Sequence, residues 1–504
     1  MWEVYIFLVF FAIYFYFRWH LSYFDRRGIS GPKALPIVGN LWEYVTGKKH
    51  FGHVYDEIYR AYPKANYVGF FKLHNPAVIA IDLDVVKNVL ASDFSSFHDN
   101  DFILDPKLDP LAVTNPFFAS GDEWKILRNQ VSPLFSHAKV KACFPIMEAV
   151  GKNLVQYLEN GPEVKNSEGI EAKGLGERFT IDAVASCAFG VEGLCFTDQK
   201  SPFREMLNEV ISPSSSTALK SFISLFMPKL ATILGFPFFP KHIDAWIRSF
   251  VDQVVKRRTE LGEKRQDFLQ NFLDLQKNRE STLRSEDIVA GQALVFMTEG
   301  TETSSSLIGF ALYQLARNPD IMQTAQEEID SVYERHGGKM TEDGILELEY
   351  LERVLFETLR MHSPVFSMAR IATKSFTFGP QYPDSKNEMT IPKGTTVIVP
   401  VNAIHYDPNI YPVPHTFDPS RFTEEAKKGR HRYSFLGFGE GPRICLGQKF
   451  ALFQVRAALS AILRHFDVKL SSKTHDPLRV SKKTFMLAAE DGIWVKFSKR
   501  STVN

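Results

Sequence analysis

One uninterrupted helical pattern, from Glu286 to about Arg317, sets the minimum size of the fold. Acidic residues occupy its first turn and Asn318-Pro319 follows its last, which are common signals for the two ends of a helix. At 1.5 Å per residue this helix is about 50 Å long. It must therefore cross a whole domain.

The middle of this helix, Glu299 to Ser304, is a poor interior for a buried helix because it reads Glu-Gly-Thr-Glu-Thr-Ser. A glycine there costs about 1 kcal/mol relative to alanine, and buried acids need partners. Weakness at the centre of a helix is more often functional than accidental. The alternative is a structural kink beside a solvent channel.

A second feature is the loop from Phe438 to Gly447, in which three glycines and a proline surround Cys445. A helix from Gln448 to about His465 follows, with no obvious side-chain cap. We expect its free N–H groups and positive dipole end to point at Cys445 and to lower the pKa of the thiol. A lone thiolate beside Arg443 suits an axial haem ligand better than zinc, which needs several ligands. A buried structural cysteine is the alternative.

The loop fills every fixed position of Phe-x-x-Gly-x-Arg-x-Cys-x-Gly, and it resembles the haem-binding loop of the cytochromes P450. Other elements occur in family order, and they are similar to the animal microsomal type of the broad-specificity clan. The resemblance implies a mainly α cytochrome P450 fold with a small β region. It also implies haem b, with its iron bound by the axial thiolate of Cys445.

The resemblance implies roles for residues elsewhere. The helix centre resembles the oxygen-activation motif of the family, in which Thr303 and Glu302 deliver protons as the catalytic pair. Phe438 packs beside the sulfur. The residues implied to hold the haem propionates are Trp124, Arg128, Arg370 and Arg443. Without the resemblance, Trp124 and Arg128, four apart on a helix that begins at Gly121, indicate only a packed Trp and a solvated Arg.

Glu299 departs from the commonest pattern of the family, which has alanine there. A glutamate at this point is a feature of the fatty-acid ω-hydroxylases, where it can become ester-linked to a haem methyl. A covalent haem link through Glu299 is therefore a hypothesis. The alternative is a polar pocket residue that selects substrates.

The scaffold behind the cofactor is also implied by the resemblance. Glu357 and Arg360 share a face of a helix that ends near His362, and Arg421 follows in a Pro-x-Arg-Phe element. In the family these three form a network that locks the loop before the haem-binding turn. We treat His405 and His415 as structural, because no second nitrogen ligand stands at metal spacing.

The N-terminus is uncharged from Val4 to Phe17. With its aromatic flanks, Trp2 to Phe24, it spans about 34 Å as a helix, enough for a bilayer core of about 30 Å. No small-x-small site follows, which disfavours the alternative of a cleaved signal peptide. Basic residues follow the segment while Glu3 precedes it, so the positive-inside rule places the bulk of the chain in the cytosol.

We accordingly divide the chain into three parts. Residues 1–24 are expected to form a signal anchor in the endoplasmic reticulum membrane, and residues 25–40 a proline-rich hinge that resembles that of microsomal P450s. Residues 41–504 are the haem-thiolate catalytic domain. Residues 201–250, rich in Phe, Pro and Ile, suit either a membrane-dipping lid over a substrate channel or core.

Composition fits one large domain. Of 504 residues, 44% are hydrophobic and 23% charged, and the net charge of +1 does not suggest nucleic-acid binding. The four cysteines contain no C-x-x-C pair, so they form no disulfide framework, and a reducing compartment is expected. Three of them, Cys143, Cys187 and Cys195, are expected to be buried and inert.

The resemblance implies a monooxygenase. One atom of O2 enters an apolar small molecule (lipid, steroid or xenobiotic) and the other leaves as water. Electrons come from NADPH through NADPH–cytochrome P450 reductase, and cytochrome b5 is a further candidate donor. Basic residues on both sides of the cysteine loop could steer an acidic flavoprotein: Lys427, Lys428, Arg430, Arg432, Lys449 and Arg456.

Two other functions fit the same fold. One is an isomerase or dehydratase that rearranges peroxides without O2 or a reductase, and the other is a non-catalytic haem sensor. The Glu302-Thr303 pair argues against the first, because such enzymes need no proton relay.

Overall fold

The computed structural model describes residues 2–161, 166–197, 201–211, 215–263, 265, 267–275, 285–482 and 484–501. Its α-helices are numbered here in chain order: α1 Trp2–Leu21, α2 Trp42–Val45, α3 Phe51–Ala61, α4 Leu83–Lys87, α5 Gly121–Val131, α6 His137–Lys141, α7 Phe144–Asn160, α8 Ala172–Phe189, α9 Pro202–Ile211, α10 Ser215–Phe226, α11 Pro228–Leu234, α12 Lys241–Leu261, α13 Phe268–Leu275, α14 Ser285–Arg317, α15 Pro319–Arg335, α16 Glu342–Glu347, α17 Glu349–Met361, α18 Val401–His405, α19 Glu424–Lys428 and α20 Gln448–His465.

The strands are short: β1 Tyr67–Lys72, β2 Asn75–Ala80, β3 Asp99–Asn100, β4 Ile170–Glu171, β5 Met368–Ile371, β6 Phe376–Phe378, β7 Met389–Ile391, β8 Thr396–Val399, β9 Phe466–Leu470 and β10 Trp494–Lys499. One sheet has the order β1-β2-β8-β5-β3, a second the order β4-β10-β9, and β6 pairs with β7. The β2–β8 pair is parallel and its neighbours are antiparallel. The prediction of a mainly α fold with a small β region is confirmed.

The predicted long helix is α14, and it runs through the largest of three hydrophobic clusters among the described residues. It packs along α8 and also contacts α17 and α20. Its backbone approaches α8 closely, because a Cβ atom on Gly176 of α8 would lie 2.9 Å from the Ser305 carbonyl oxygen. The second cluster fills the space between the five-stranded sheet and α3.

The helix after the cysteine loop has the predicted bounds, since α20 begins at Gln448 and ends at His465. Between Met389 and Val399 the chain forms a strand, a turn and a second strand. The two strands belong to different sheets, because β7 pairs with β6 while β8 lies between β2 and β5.

The N-terminal helix α1 buries no side chain, and it is long and apolar enough to cross a membrane. It ends at Leu21, three residues before the predicted end. Phe24 is buried in the second hydrophobic cluster, and its ring lies 5.6 Å from that of Phe71. Beyond Phe24, the hinge lies against β1, where a Cβ atom on Gly31 would come within 2.0 Å of the Gly69 carbonyl oxygen.

Candidate active site

The cysteine loop folds back on itself, as its glycines predict. Gly439 and Gly441 have φ angles of 72° and 79°, which favour glycine, and a Cβ atom on Gly441 would lie 2.0 Å from the Leu90 carbonyl oxygen. The Cys445 N–H donates to the Phe438 carbonyl oxygen at 2.8 Å. The Phe438 side chain is half-buried against the main core, next to this turn.

The environment of the Cys445 sulfur agrees only in part with the prediction. Backbone N–H groups of Gly447 and Gln448 hydrogen-bond the sulfur, and α20 has no side-chain cap. Burial nevertheless raises the pKa of the thiol to about 11, against the lowering effect of these donors. The predicted low pKa of Cys445 is therefore wrong for the protein alone, because the desolvation of the thiol has a larger effect than the hydrogen bonds from Gly447 and Gln448. A bound metal cation would deprotonate the thiol outright.

Cys445 and Glu299 face a common space inside the fold. Both have solvent-accessible side chains, yet burial dominates the pKa of each, raising that of Glu299 to about 7. Both conditions are met by side chains that line a deep cleft or cavity, which is called the void below. The Glu299 carboxylate also raises the pKa of Cys445, so the two groups are close enough to interact.

The centre of α14 places its polar side chains on different faces. The Thr303 hydroxyl donates to the Glu299 carbonyl oxygen at 2.9 Å, one turn earlier on the same face. Glu302 points instead towards α8, where its Oε1 atom lies 2.8 Å from Lys173 Nζ. The structure does not bring the Glu302 and Thr303 side chains together, since neighbouring residues of a helix do not share a face.

Glu302 is a buried acid with incomplete pairing. Burial raises its pKa to about 6, against the lowering effect of Lys173. Its second oxygen, Oε2, has no hydrogen-bond partner among the described residues. The carboxyl group can therefore hold or release a proton near neutral pH, a property useful in proton transfer.

Asn115 is a site residue that sequence reasoning missed. Its side-chain N–H donates to Glu299, while its own oxygen accepts from the Phe117 N–H at 2.8 Å. The loop that carries Asn115 approaches α14 closely at Gly291. A single polar residue in a loop gives no sequence signal for this role.

The guanidinium groups of Arg128, Arg370 and Arg443 lie close enough together to repel one another. Arg443 sits with its Cζ atom 4.4 Å from the ring centre of Trp124. Burial lowers the pKa of Arg443 to about 9, and repulsion from Arg370 and Arg128 adds to the effect. The carboxylate of Asp99, 3.4 Å from Arg443, balances only part of this charge.

The partners of these arginines differ. Arg443 donates to the carbonyl oxygens of His98, Pro116 and Ala119, so backbone groups take most of its hydrogen bonds. Arg128 donates to the Ile444 carbonyl oxygen at 2.7 Å. Arg370 bonds Asn100, and its buried Nε has no partner among the described residues. Excess buried positive charge with an unused donor fits a ligand that carries two carboxylates, as haem does.

The network behind the loop is present. Arg360, fully buried, pairs with Glu357 at 2.7 Å, and Arg421 lies 3.5 Å from the same carboxylate. His405 extends the network, because its Nδ1 donates to the Arg360 carbonyl oxygen and its Nε2 accepts from the Leu436 N–H. His405 therefore connects the network to the segment at Leu436, which leads into the cysteine loop.

Comparison with known proteins agrees with this geometry. The family model described as Cytochrome P450 matches residues 29–495. Cytochrome P450 6a8 of Drosophila melanogaster is 35% identical, over 96% of each chain. Cytochrome P450 6j1 of Blattella germanica is 34% identical, over 97% of this chain and 95% of its own. The chain therefore belongs to the cytochrome P450 family of haem-thiolate monooxygenases.

Proposed function

We propose that Cys445 supplies the thiolate that holds haem in the void between α14 and α20, and that the substrates are apolar small molecules. The observation that carries this proposal is the common space faced by Cys445 and Glu299. When bound, haem supplies the activation of dioxygen, with the thiolate donating electron density to the iron. The protein residues bind and orient this group and move protons beside it.

Support for the binding roles comes from charge. Arg128, Arg370 and Arg443, with Trp124 stacked against Arg443, form an excess of positive charge that suits the two propionates. Arg128 and Arg370 are the better donors of new hydrogen bonds, since backbone carbonyls hold Arg443. Phe438 covers the sulfur side of the site.

For proton delivery we propose Thr303 and Glu302 in separate positions. Thr303 lies on the face of α14 that bears Glu299, beside the void. Glu302 holds a proton on the α8 side of the helix, next to Lys173. A water molecule or a change of Glu302 rotamer must then connect the two side chains.

Two roles for Glu299 remain separable by experiment. One is an ester link to a haem methyl, which its position at the void permits. The other is a polar contact for substrates, held in place by Asn115. Acid–acetone extraction distinguishes them: haem that leaves quantitatively excludes the ester.

The substrate lid is proposed to be α10, α11 and the turn 236–240 that leads into α12. Apolar side chains on it are exposed, including Leu219, Ile233 and Leu234. These side chains suit contact with a membrane surface and entry of apolar molecules from it. Lipids, steroids and xenobiotics fit this route equally.

We further propose that residues 1–24 anchor the protein in the endoplasmic reticulum, that residues 25–40 are the hinge, and that residues 41–504 face the cytosol. Arg26 and Arg27 lie over the rings of Trp19 and Tyr23, at 4.2 and 3.7 Å. This pairing of cations with aromatic rings suits the membrane interface.

NADPH–cytochrome P450 reductase is the proposed electron donor, with cytochrome b5 as a second candidate. Only part of the predicted basic surface is free for either partner. Arg456 is buried against Glu352, and Arg430 donates to the Arg421 carbonyl oxygen. Both are therefore structural. The other four predicted cations, Lys427, Lys428, Arg432 and Lys449, are exposed, although Lys427 pairs with Glu424 and Arg432 pairs with Glu440.

The carbon-monoxide difference spectrum of the reduced protein tests the central assignment. The native protein is expected to show the band of thiolate-ligated haem, and Cys445→Ser is expected to lose it. Cys195→Ser is the matched control, because Cys195 is buried elsewhere and should leave the band intact. A thiolate band that persists in Cys445→Ser would overturn the assignment. Reconstitution with reductase and a lipid panel then tests the electron donor and the substrate class.

A further inference from the structure

Asp109 is a buried carboxylate that joins two distant loops. Both of its oxygens accept from the Phe238 N–H at 2.9 Å, and Oδ1 also accepts from the Phe239 N–H at 3.0 Å. Only 5% of Asp109 is exposed. A carboxylate that accepts several backbone N–H groups makes strong, charge-assisted hydrogen bonds.

The loop that carries Asp109 is fixed to α14. Gln292 of α14 donates to the Thr114 carbonyl oxygen at 2.6 Å. A Cβ atom on Gly291 would lie 1.8 Å from Thr114 Oγ1, so only glycine allows this contact. The same loop then reaches the site through Asn115 and Glu299.

The turn 236–240 is, in contrast, part of the lid. Ser221 of α10 donates to the Phe238 carbonyl oxygen at 3.1 Å, which ties the turn to the lid helices. The ring of Phe238 lies 5.5 Å from that of Phe118, in the loop that carries Asp109. The start of α12 after this turn has no side-chain cap of its own.

We propose that Asp109 is a positioning residue that holds the substrate lid closed over the active site. Its carboxylate fixes the turn 236–240 to a loop that α14 supports. Opening these hydrogen bonds releases the lid at its junction with α12, and apolar molecules then enter or leave. This inference rests on the proposed function in one respect, the assignment of α10, α11 and the turn 236–240 as a substrate lid.

Hydrogen exchange of the haem-loaded protein tests the contact itself. In Asp109→Ala, exchange in residues 236–240 is expected to rise by about tenfold or more, because the turn loses a charged acceptor. Asp109→Asn keeps a neutral oxygen at the same place, so a smaller rise is expected. Asp105→Asn is the matched control: Asp105 lies in the same loop, but its side chain accepts the local N–H of Lys107 instead of an N–H of the turn, so exchange in the turn should stay unchanged.

Stopped-flow binding of 4-phenylimidazole, followed by haem absorbance, tests the role in access. If Asp109 holds the lid closed, Asp109→Ala should raise the association and dissociation rates together, by about tenfold, while Kd changes by less than about threefold. A merely structural role would lower the melting temperature without this pattern. Unchanged exchange at 236–240, or unchanged ligand rates despite faster exchange, would overturn the proposal. Failure of the proposed function would instead appear in the carbon-monoxide spectrum of the native protein, which does not depend on Asp109.

Discussion

The pairing of Glu302 with Lys173 shows how one residue of the site is controlled from a distant part of the sequence. Lys173 stands at the start of α8, and its ammonium group lies 2.8 Å from the acid on α14. Sequence reasoning identified Glu302 from the helix centre but had no signal for Lys173, since a lysine near a helix start is an ordinary surface residue. Which face of α14 meets the void depends on packing, which local sequence does not encode.

Lys173→Met is expected to raise the pKa of Glu302 further above about 6, because the nearby cation that favours the carboxylate is lost. A carboxyl group with a higher pKa in the folded state binds its proton more tightly when folded. The free energy of unfolding should therefore fall as the pH rises from 4.5 through the new pKa. At pH 8 the loss is expected to be about 3 kcal/mol.

Urea unfolding at pH 5 and pH 8 measures this difference. Lys173→Arg keeps the charge and serves as the control, with a much smaller change at either pH. An equal loss of stability at both pH values in Lys173→Met would show that the pair does not set the pKa of Glu302.

The helix α14 combines close packing at one position with free space at another. At Gly291 it meets the loop that carries Thr114, whereas a Cβ atom on Gly300 would contact only Val184 of α8. The sequence pattern predicted the ends of α14 well, because acidic residues and Asn318-Pro319 mark them. It did not distinguish the roles of the two glycines, which depend on what packs against each.

Alanine at these two glycines is expected to have opposite effects. A Cβ atom on Gly300 would meet only Val184, at 3.4 Å, so Gly300→Ala should raise the free energy of unfolding by up to about 1 kcal/mol. Gly291→Ala would place its Cβ atom 2.6 Å from the Leu111 carbonyl oxygen. It should therefore lower the free energy of unfolding by about 1–3 kcal/mol.

Chemical denaturation of the two variants measures both changes, with each variant serving as the control of the other. Because both substitutions have the same intrinsic effect on the helix, their difference reports packing alone. Similar stabilities of the two variants would contradict the close approach at Gly291.

At the scale of the molecule, two of the apolar surfaces exposed among the described residues suit contact with a membrane. One is α1, and the other is the lid around Ile233, which is 80% exposed. The sequence predicted the first from its length and lack of charge. For residues 201–250 it left core and lid open, because a mixture of Phe, Pro and Ile suits both until the neighbours are known.

Deletion of residues 2–17 is expected to remove tight membrane attachment while leaving the haem spectrum and the melting temperature unchanged, because this part of α1 is not buried. The truncated protein should still bind vesicles weakly through the lid. Ile233→Ser with Leu234→Ser in that background should abolish the residual binding, since each side chain loses about 1.5–3 kcal/mol of apolar burial.

Carbonate extraction of membranes measures the first effect and vesicle co-sedimentation the second. The double substitution in the full-length chain is the control, and it should leave attachment intact. Carbonate-resistant attachment of the truncated protein would show that α1 is not the anchor.

The group of arginines near Cys445 has a consequence for how the protein is made in a cell. With Asp99 as their partial counter-charge, these cations repel one another until an anionic ligand arrives. A newly synthesised chain is therefore least stable before it captures haem, and binding stabilises the folded state by mass action. Chains that wait longer for haem spend more time partly unfolded, where proteases act. We therefore expect the number of surviving copies to rise with the supply of haem.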